Sequence, residues 1–276
     1  MKPLTRALDD ATRILSGTSD SPRLDAELLM AEALGIDRDR LLLDPPRRKS
    51  IPARFADMIE RRRKGEPVAY ITGRRAFWDI ELHVGPGVLV PRPDSEVLIA
   101  SAIDHFRGSA GPKRILDLGT GPGTLLLAAL DIWKKATGIG VDQSRQALSY
   151  AAANARRLRF DDRAELRLGD WAQGIDERFD LVLCNPPYVR SGDELGPGVR
   201  EFEPDEALFA GADGLDAYRT LSSQLPRLIE AGGLAAVEIG HDQAEEVTPI
   251  LARDGLKCSV ADDLGGRPRA VLLTHD

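Results

Sequence analysis

The chain has 276 residues, of which 42% are hydrophobic and 29% charged, and its formal net charge is −7. Its longest apolar runs are strand-sized and its first residues lack a signal-peptide core, so the sequence supports neither membrane insertion nor export and predicts a cytoplasmic protein. The acidic balance argues against a protein whose main ligand is bulk nucleic acid, and we expect no stable nucleic-acid complex.

Residues 1–75 show helical spacing without strand alternation, which predicts a small helical domain. The stretch "SPRLDAELLMAEALG" predicts a helix that is capped by Ser21, begins at Pro22 and stops at Gly35. Its expected buried face consists of Leu24, Leu28, Ala31 and Leu34. The stretch "IPARFADMIERRRKG" repeats this design, with Gly65 as the stop.

Basic residues concentrate in the same domain. Between Arg38 and Arg75 the sequence has twelve Lys or Arg against five Asp or Glu, including "RRRK" at 61–64. Such a segment can dock an acidic partner or RNA, or it can form a solvated helix face. The run itself favours the solvated face, while a docking role stays open for the whole segment.

Residues 76–93 predict a β-hairpin that links two domains. Ile80, Leu82 and Val84 alternate with polar residues, and "GPG" at 85–87 is expected to turn the chain into "VLVPRP". The following stretch, "PDSEVLIASAIDHF", predicts a helix capped by Asp94 or Ser95.

From Arg114 onward, apolar strands alternate with helices inside a predicted domain at 94–276. This order predicts an α/β fold with a doubly wound, mostly parallel, seven-stranded sheet. The last two strands, "KCSVADDL" and "RAVLLTH", have no obvious helix between them and are expected to form an antiparallel hairpin at one sheet edge. Cys184 and Cys258 fit no disulfide framework and are predicted to be buried thiols, and the four histidines lack metal-ligand spacing, so we assign no metal.

The stretch "ILDLGTGPGT" at 115–124 predicts a strand, a glycine-rich turn and a helix start, where free amides can approach a ligand. The dinucleotide pattern G-x-G-x-x-G requires glycine at position 124, which is Thr124 here. By contrast, Asp117-x-Gly119-x-Gly121-x-Gly123 fits the pattern of S-adenosyl-L-methionine sites fully. The turn therefore favours S-adenosyl-L-methionine over NAD.

Acidic and aromatic residues follow the next two predicted strands. Asp142 ends "GIGVD" and can accept hydrogen bonds from both ribose hydroxyls of an adenosine, although an isolated Asp there is more often a helix cap. Asp170 and Trp171 end the third strand. Asp170 can accept from the adenine amino group, and Trp171 can cover the ring or belong to the core.

The fourth strand, "FDLVLC" at 179–184, stops at Asn185, Pro186, Pro187 and Tyr188 because prolines cannot donate to a sheet ladder. An amide nitrogen is a poor nucleophile, so acceptors at its N–H bonds would orient it and stabilise the positive charge that develops during methyl transfer. The Asn185 side-chain carbonyl and the Pro186 backbone carbonyl can be these catalytic acceptors, and Tyr188 can pack on a planar substrate group. Residues 190–200, "RSGDELGPGVR", predict a mobile flap over the site.

Several motifs together resemble the HemK family of protein glutamine N(5)-methyltransferases over nearly the whole chain. They are the hairpin with its "PRPDSE" signature, the loop "DLGTGPGT", the motif "NPPYV", and the segments "EFEPDEALFAGADGLDAYR" and "EIGHDQ". Ser95 stands where the family usually has Thr. The resemblance implies a Rossmann-like class I methyltransferase fold with S-adenosyl-L-methionine as the methyl donor.

The resemblance also implies the substrate, which is the Gln of the Gly-Gly-Gln loop in class 1 peptide chain release factors. By motif, the cofactor would contact Gly119, Thr120, Gly121, Pro122, Gly123, Asp142, Trp171 and Asn185. The substrate would contact Asn185, Pro186, Pro187, Tyr188, Arg92 and Glu203. The helical domain would dock the release factor, and Glu96 would help Arg92 to close the site.

Three other functions stay open at this point. A glutamine methyltransferase that acts on a ribosomal protein shares most of these motifs. A nucleic-acid adenine methyltransferase would place a flipped base against Tyr188, but the acidic chain and the lack of a basic target-recognition domain argue against it. A non-catalytic binding module is disfavoured because Asn185, both prolines and Tyr188 are all present.

Overall fold

The computed structural model describes residues 3–46 and 50–275, and these form two compact units. The first unit runs up to Arg74 and includes Val84–Pro86 and Glu194–Glu203. The second contains Arg75–His83, Gly87–Asp193 and the described chain from Pro204 onward. The domain boundaries given above, 1–75, 76–93 and 94–276, stay a prediction.

Helices build the first unit around its own apolar core. In chain order, the helices before the crossing into the second unit are α1 Pro3–Leu15, α2 Pro22–Leu34, α3 Arg38–Leu43, α4 Ala53–Arg63 and α5 Val68–Thr72. Helix α2 ends at Gly35, which has the left-handed conformation (φ 67°) that favours glycine. The predicted start and stop of this helix are therefore confirmed.

The predicted buried face of α2 is only partly confirmed, because Ala31 is buried and Leu34 packs on the core while the rest of the face is not buried. Leu24 is exposed, and the helix instead buries Ala26, Leu29, Met30 and Ala33 together with Asp25 and Glu27. Both buried acids have partners, because Arg62 donates to Asp25 and Arg23 and Arg38 donate to Glu27. Ser21 is not a side-chain cap, since its hydroxyl donates to Asp25 instead.

The β-hairpin lies earlier in the chain than the sequence indicates. It pairs β1 Arg74–Phe77 with β2 Ile80–His83, and the turn falls at Trp78 and Asp79 rather than at 85–87. The expected second arm, "VLVPRP", is not a strand, because its prolines cannot donate to a ladder. Trp78 has a φ of 51°, and its backbone N–H donates to Glu96 Oε1 over 3.1 Å.

One seven-stranded sheet forms the centre of the second unit, in the order β5-β4-β3-β6-β7-β9-β8. Strands β3 to β7 run parallel, while β9 pairs antiparallel with both β7 and β8. This confirms the predicted mostly parallel sheet and its antiparallel edge hairpin. The strands are β3 Arg114–Leu118, β4 Thr137–Asp142, β5 Ala164–Leu168, β6 Phe179–Cys184, β7 Ile229–Glu238, β8 Leu256–Asp262 and β9 Pro268–His275.

Helices connect the strands: α6 Glu96–His105, α7 Thr124–Ile132, α8 Arg145–Leu158, α10 Asp216–Ser222, α11 Leu225–Leu228 and α12 Ala244–Leu251, with α9 Val199–Phe202 in the first unit. Two short helices, α10 and α11, precede β7 in place of one long helix, because Pro226 interrupts the hydrogen-bond ladder. The Ser95 side chain, one of the two predicted caps of α6, makes no capping hydrogen bond to this helix.

The two cysteines differ in how far they are buried. Cys184 is fully buried in β6 as predicted, whereas Cys258 is only half-buried, because its strand β8 lies at the sheet edge. Within residues 3–46 and 50–275, no helix has the length and apolar content needed to cross a bilayer.

Candidate active site

A cavity of about 440 Å³ lies at the carboxyl ends of four neighbouring strands, β3, β4, β5 and β6. Parallel strands end at the same edge of a sheet, so residues far apart in sequence meet there. Seven of the predicted site residues line this cavity: Gly119, Gly121, Asp142, Asp170, Trp171, Asn185 and Pro187.

Hydrogen bonds hold the glycine-rich turn in a defined shape. The backbone N–H groups of Gly119 and Thr120 both donate to the Val141 carbonyl over 2.9 Å. The Thr120 hydroxyl donates to Asp117 Oδ2 over 2.6 Å. Gly119 and Gly121 have φ angles of 73° and 56°, which few residues other than glycine adopt at low cost. The turn therefore presents backbone rather than side chains to the cavity.

Asp142 supports the turn and faces the cavity with the same carboxylate. Its Oδ2 accepts from the Gly121 N–H and its Oδ1 from the Ser144 N–H, both over 2.8 Å. Burial raises the pKa of Asp142. Each carboxylate oxygen has a further lone pair, so Asp142 can accept the two hydroxyl donors of a ribose.

Asp170 and Trp171 form the wall that follows β5. Trp171 has a φ of 50°, and the next N–H, that of Ala172, donates to Gln224 Oε1 over 2.8 Å. Asp170 is exposed and accepts from Gln173 Nε2 over 2.5 Å. A half-buried indole beside an exposed carboxylate suits a flat heterocycle with an amino group.

Asp117 supports the glycine-rich turn from the protein interior, where it accepts from the Thr120 hydroxyl. It is buried, and within the described part of the chain its Oδ1 has no hydrogen-bond partner. Burial raises the pKa of Asp117 to about 7. Asp117 itself does not line the cavity. The groups that do line it include the backbone of the glycine turn, the Asp142 carboxylate and the Trp171 ring, which suit a nucleoside cofactor, and the cavity volume is within the usual range for a cofactor site. These residues therefore fit S-adenosyl-L-methionine.

Asn185 leaves β6 with its carboxamide fixed. Its Nδ2 donates to Ser95 Oγ over 3.0 Å, so Oδ1 is the amide atom left to accept a hydrogen bond from a substrate. Tyr188, three residues on, donates from its hydroxyl to Glu238 Oε1 over 3.3 Å. Its backbone carbonyl accepts from Gln243 Nε2 over 3.1 Å, which anchors the chain after the two prolines.

The other seven predicted residues do not line the cavity: Thr120, Pro122, Gly123, Pro186, Tyr188, Arg92 and Glu203. Three of them shape the glycine turn: Thr120 binds Asp117, the Pro122 carbonyl accepts from Asn154 Nδ2, and Gly123 precedes α7. Pro186 follows Asn185 in the chain and is buried. Arg92 precedes the turn that carries Ser95, and Glu203 is buried in the first unit.

Sequence reasoning missed part of the cavity wall. The additional lining residues fall mainly in three short segments, 87–89, 143–147 and 204–207. The second segment directly follows Asp142, so its place after a parallel strand was a usable signal. Segments 87–89 and 204–207 carry no comparable signal in the sequence, because only the tertiary structure brings them to the cavity.

Comparisons with known proteins agree with this geometry. The family profile of the PrmC N-terminal domain matches residues 6–73, and a methyltransferase-domain profile matches residues 111–243. The release factor glutamine methyltransferase of Caulobacter vibrioides is 41% identical over 99% of this chain and 95% of its own length. That of Rhodospirillum rubrum is 40% identical over 98% of this chain and 84% of its own length.

A solved methyltransferase from Pyrococcus furiosus shares the fold, with a TM-score of 0.52 at 16% identity over 70% of this chain and 87% of its own. The predicted class I fold, the enzyme class and the cofactor S-adenosyl-L-methionine are thereby confirmed. Because the sequence similarity to the curated relatives spans both units, it extends well beyond the common methyltransferase fold. This chain belongs to the family of release factor glutamine methyltransferases.

Proposed function

We propose that this enzyme methylates the side-chain amide nitrogen of the Gln in the Gly-Gly-Gln loop of a class 1 peptide chain release factor, and that it acts in the cytoplasm. The observation that carries the proposal is the Asn185 carboxamide on the cavity wall, with its Nδ2 engaged by Ser95 and its Oδ1 left to accept. The relatives named above support the choice of partner.

S-adenosyl-L-methionine, when bound, supplies a methyl group on a sulfonium that needs only a lone pair in line with it. Asn185 Oδ1 and the Pro186 carbonyl would accept the two N–H groups of the glutamine amide. These contacts orient the nitrogen and stabilise the positive charge that develops on it. The surplus proton can leave to water, so no strong base is required.

On the protein side, Asp142 would hold the ribose hydroxyls, Trp171 would cover the adenine, and the backbone of the glycine turn would approach the rest of the cofactor. Tyr188 would pack its ring on the plane of the substrate amide, while Arg92 and Glu203 would contact the substrate backbone or neighbouring side chains. The first unit would dock the release factor.

The test is transfer of a labelled methyl group from S-adenosyl-L-methionine to four acceptors. These are the intact release factor, the same factor with its loop Gln changed to Ala, ribosomal protein, and DNA that contains adenine. We expect label on the intact release factor alone. Label on ribosomal protein or on DNA, with none on the release factor, would overturn the proposed substrate and keep the methyltransferase activity.

A further inference from the structure

Glu238 lies beside the acceptor site but has no role in the account so far. It is the last residue of β7, and in the parallel register its neighbour Val237 lies opposite Cys184. Glu238 and Asn185 are therefore the next residues on two adjacent parallel strands, at the same edge of the sheet. Glu238 is fully buried. A buried carboxylate at this position requires hydrogen bonds, and its partners are informative.

Both functional side chains of the Asn-Pro-Pro-Tyr motif connect to Glu238. The Tyr188 hydroxyl donates to Glu238 Oε1 over 3.3 Å. Ser95 Oγ accepts from Asn185 Nδ2 over 3.0 Å. Within the described part of the chain, Glu238 Oε2 is buried and has no hydrogen-bond partner of its own, and the Ser95 hydroxyl is the side-chain donor that most lowers the pKa of Glu238, so it is the donor placed to serve this carboxylate. One carboxylate thus supports the two side chains that would hold the substrate amide from different sides.

The proton on Ser95 determines which way the Asn185 amide faces. A hydroxyl has one hydrogen, and an ionised carboxylate can only accept, so Ser95 must donate to Glu238. Ser95 Oγ can then only accept from Asn185, which fixes Nδ2 against Ser95 and leaves Oδ1 for the substrate. If Glu238 is protonated, it can donate to Ser95, and the Ser95 hydrogen becomes free to donate to Asn185 Oδ1 instead.

We propose that Glu238 is a positioning residue for methyl transfer, which acts through Ser95 to keep Asn185 Oδ1 available to the substrate N–H and acts directly on Tyr188 to fix its ring. This inference rests on the proposed function, because it concerns the same acceptor site. It predicts that protonation of Glu238 lowers turnover by turning the Asn185 amide the wrong way.

The surroundings of Glu238 place this protonation in an accessible pH range. Burial raises the pKa of Glu238 to about 7, while the Ser95 hydrogen bond and the charge of Arg269 lower it. The titratable and charged groups that face it come from three elements, one connection and one turn: Cys184 of β6, Tyr218 of α10, Arg269 of β9, Tyr188 after β6, and Asp94 beside Ser95.

The first experiment measures kcat and KM on the release factor at saturating S-adenosyl-L-methionine. Ser95→Ala removes the relay, and we expect kcat to fall by about 10-fold to 100-fold while cofactor affinity is retained. Ser95→Thr keeps the hydroxyl and should restore most of the rate. Ser222→Ala is the matched control, because Ser222 is equally buried and its hydroxyl donates to a helix carbonyl away from the site.

The pH profile separates positioning from a general loss of packing. In the wild type, kcat should fall as the pH drops through about 7, where Glu238 takes up its proton. Glu238→Gln has no such titration, so its lower kcat should be flat over this range. An unchanged kcat in Ser95→Ala, an equal loss in Ser222→Ala, or the same pH profile in wild type and Glu238→Gln would overturn the proposal.

A second measurement does not depend on the acceptor. The side-chain amide signals of Asn185, assigned by their absence in Asn185→Ala, are followed by NMR as the pH is varied. They should shift near pH 7 in the wild type and stay constant in Glu238→Gln. Constant signals in the wild type would contradict the relay. Failure of the wild type to methylate the release factor would instead contradict the proposed function and leave this result to decide the relay.

Discussion

Asp117 and Asp142 lie at neighbouring strand ends but have different hydrogen-bond environments. Asp142 uses both carboxylate oxygens, which accept from Gly121 and Ser144. Asp117 uses only Oδ2, which accepts from Thr120 and from the Leu126 N–H, and its Oδ1 is unpaired as far as the described residues show. Asp117 therefore carries an uncompensated part of its charge inside the protein when it is ionised.

Asp117→Asn should make stability less sensitive to pH. Burial raises the pKa of Asp117 from 3.8 to about 7, so the folded state holds this proton more tightly than the unfolded state. The stabilisation is complete below the unfolded pKa and is lost as the pH rises through the folded pKa. The unfolding free energy of the wild type, relative to Asp117→Asn, should therefore fall between about pH 4 and about pH 7.

Thermal unfolding of both proteins across this pH range checks the prediction. Asp161→Asn is the control, because it makes the same substitution at an exposed site. A difference for Asp117→Asn that is constant with pH would show that Asp117 does not titrate in this range.

Asn185→Ala should separate cofactor binding from turnover. Much of the cavity wall that would hold the cofactor comes from other strand ends, so S-adenosyl-L-methionine affinity should change only modestly. Removal of one oriented acceptor at the charge that develops on nitrogen should lower kcat by about 100-fold to 1,000-fold. Calorimetric binding and single-turnover methyl transfer measure the two effects. Turnover that survives the substitution would refute the role of Asn185.

The connection between β6 and α10 is a structured element rather than a bare loop. Val189 pairs with Phe209, and the Ser191 N–H donates to the Gly211 carbonyl over 2.9 Å. Its middle part, Glu194–Glu203, packs with the first unit and contains α9. One glycine of this Gly-rich segment is required by the fold. At Gly198 φ is 82° and a Cβ would overlap the Gly65 carbonyl oxygen.

Gly198→Ala should therefore release this segment. The left-handed backbone and the overlap with Gly65 together should destabilise the docked conformation of this segment by about 2 kcal/mol. Limited proteolysis should then cut within 194–203 faster than in the wild type. Gly192→Ala is the control in the same connection, because a Cβ there meets no atom within 4 Å. Equal cleavage of both variants would contradict this assignment.

For the molecule as a whole, the basic excess of the first unit is largely paired within the unit. Arg61 binds Glu66, Arg62 binds Asp25, and Arg63 binds Glu60. Arg38 and Arg74 also have acidic partners. This supports the interpretation of "RRRK" as a solvated helix face for Arg61, Arg63 and Lys64, whereas Arg62 is largely buried in its pair with Asp25. Residues 47–49, which belong to the same basic segment, lie outside the described residues.

Release-factor docking should consequently show a weak salt dependence. Charges that are already paired within the protein have little attraction left for a partner, and surface pairs are screened at moderate salt. We expect KM for the release factor to change by less than about 10-fold between low and physiological ionic strength, in contrast to proteins that neutralise many phosphates. Steady-state kinetics over a salt series measures this. A steep power-law rise in KM would show that unpaired cations drive docking.

The sequence by itself determined the local chemistry. Glycine spacing from Gly119 to Gly123, the acid at Asp142 and the prolines after Asn185 each restrict the backbone or supply a fixed functional group, so they indicate a cofactor turn and a strand exit without any tertiary information. The alternation of strands and helices likewise determined the parallel sheet, because short connections and a single crossover hand leave few other arrangements.

Tertiary structure decided everything that depends on which elements become neighbours. The buried acids of α2 face inward because arginines from other segments pair with them, and hydropathy alone cannot show such a pairing. The hairpin register follows from the turn at Trp78, which Glu96 holds from a later segment. Glu238 lies next to Asn185 because β6 and β7 are adjacent, and Ser95 reaches Asn185 from the turn before α6. A hydrogen-bond relay of this kind requires proximity in space and leaves no periodic signal in the chain.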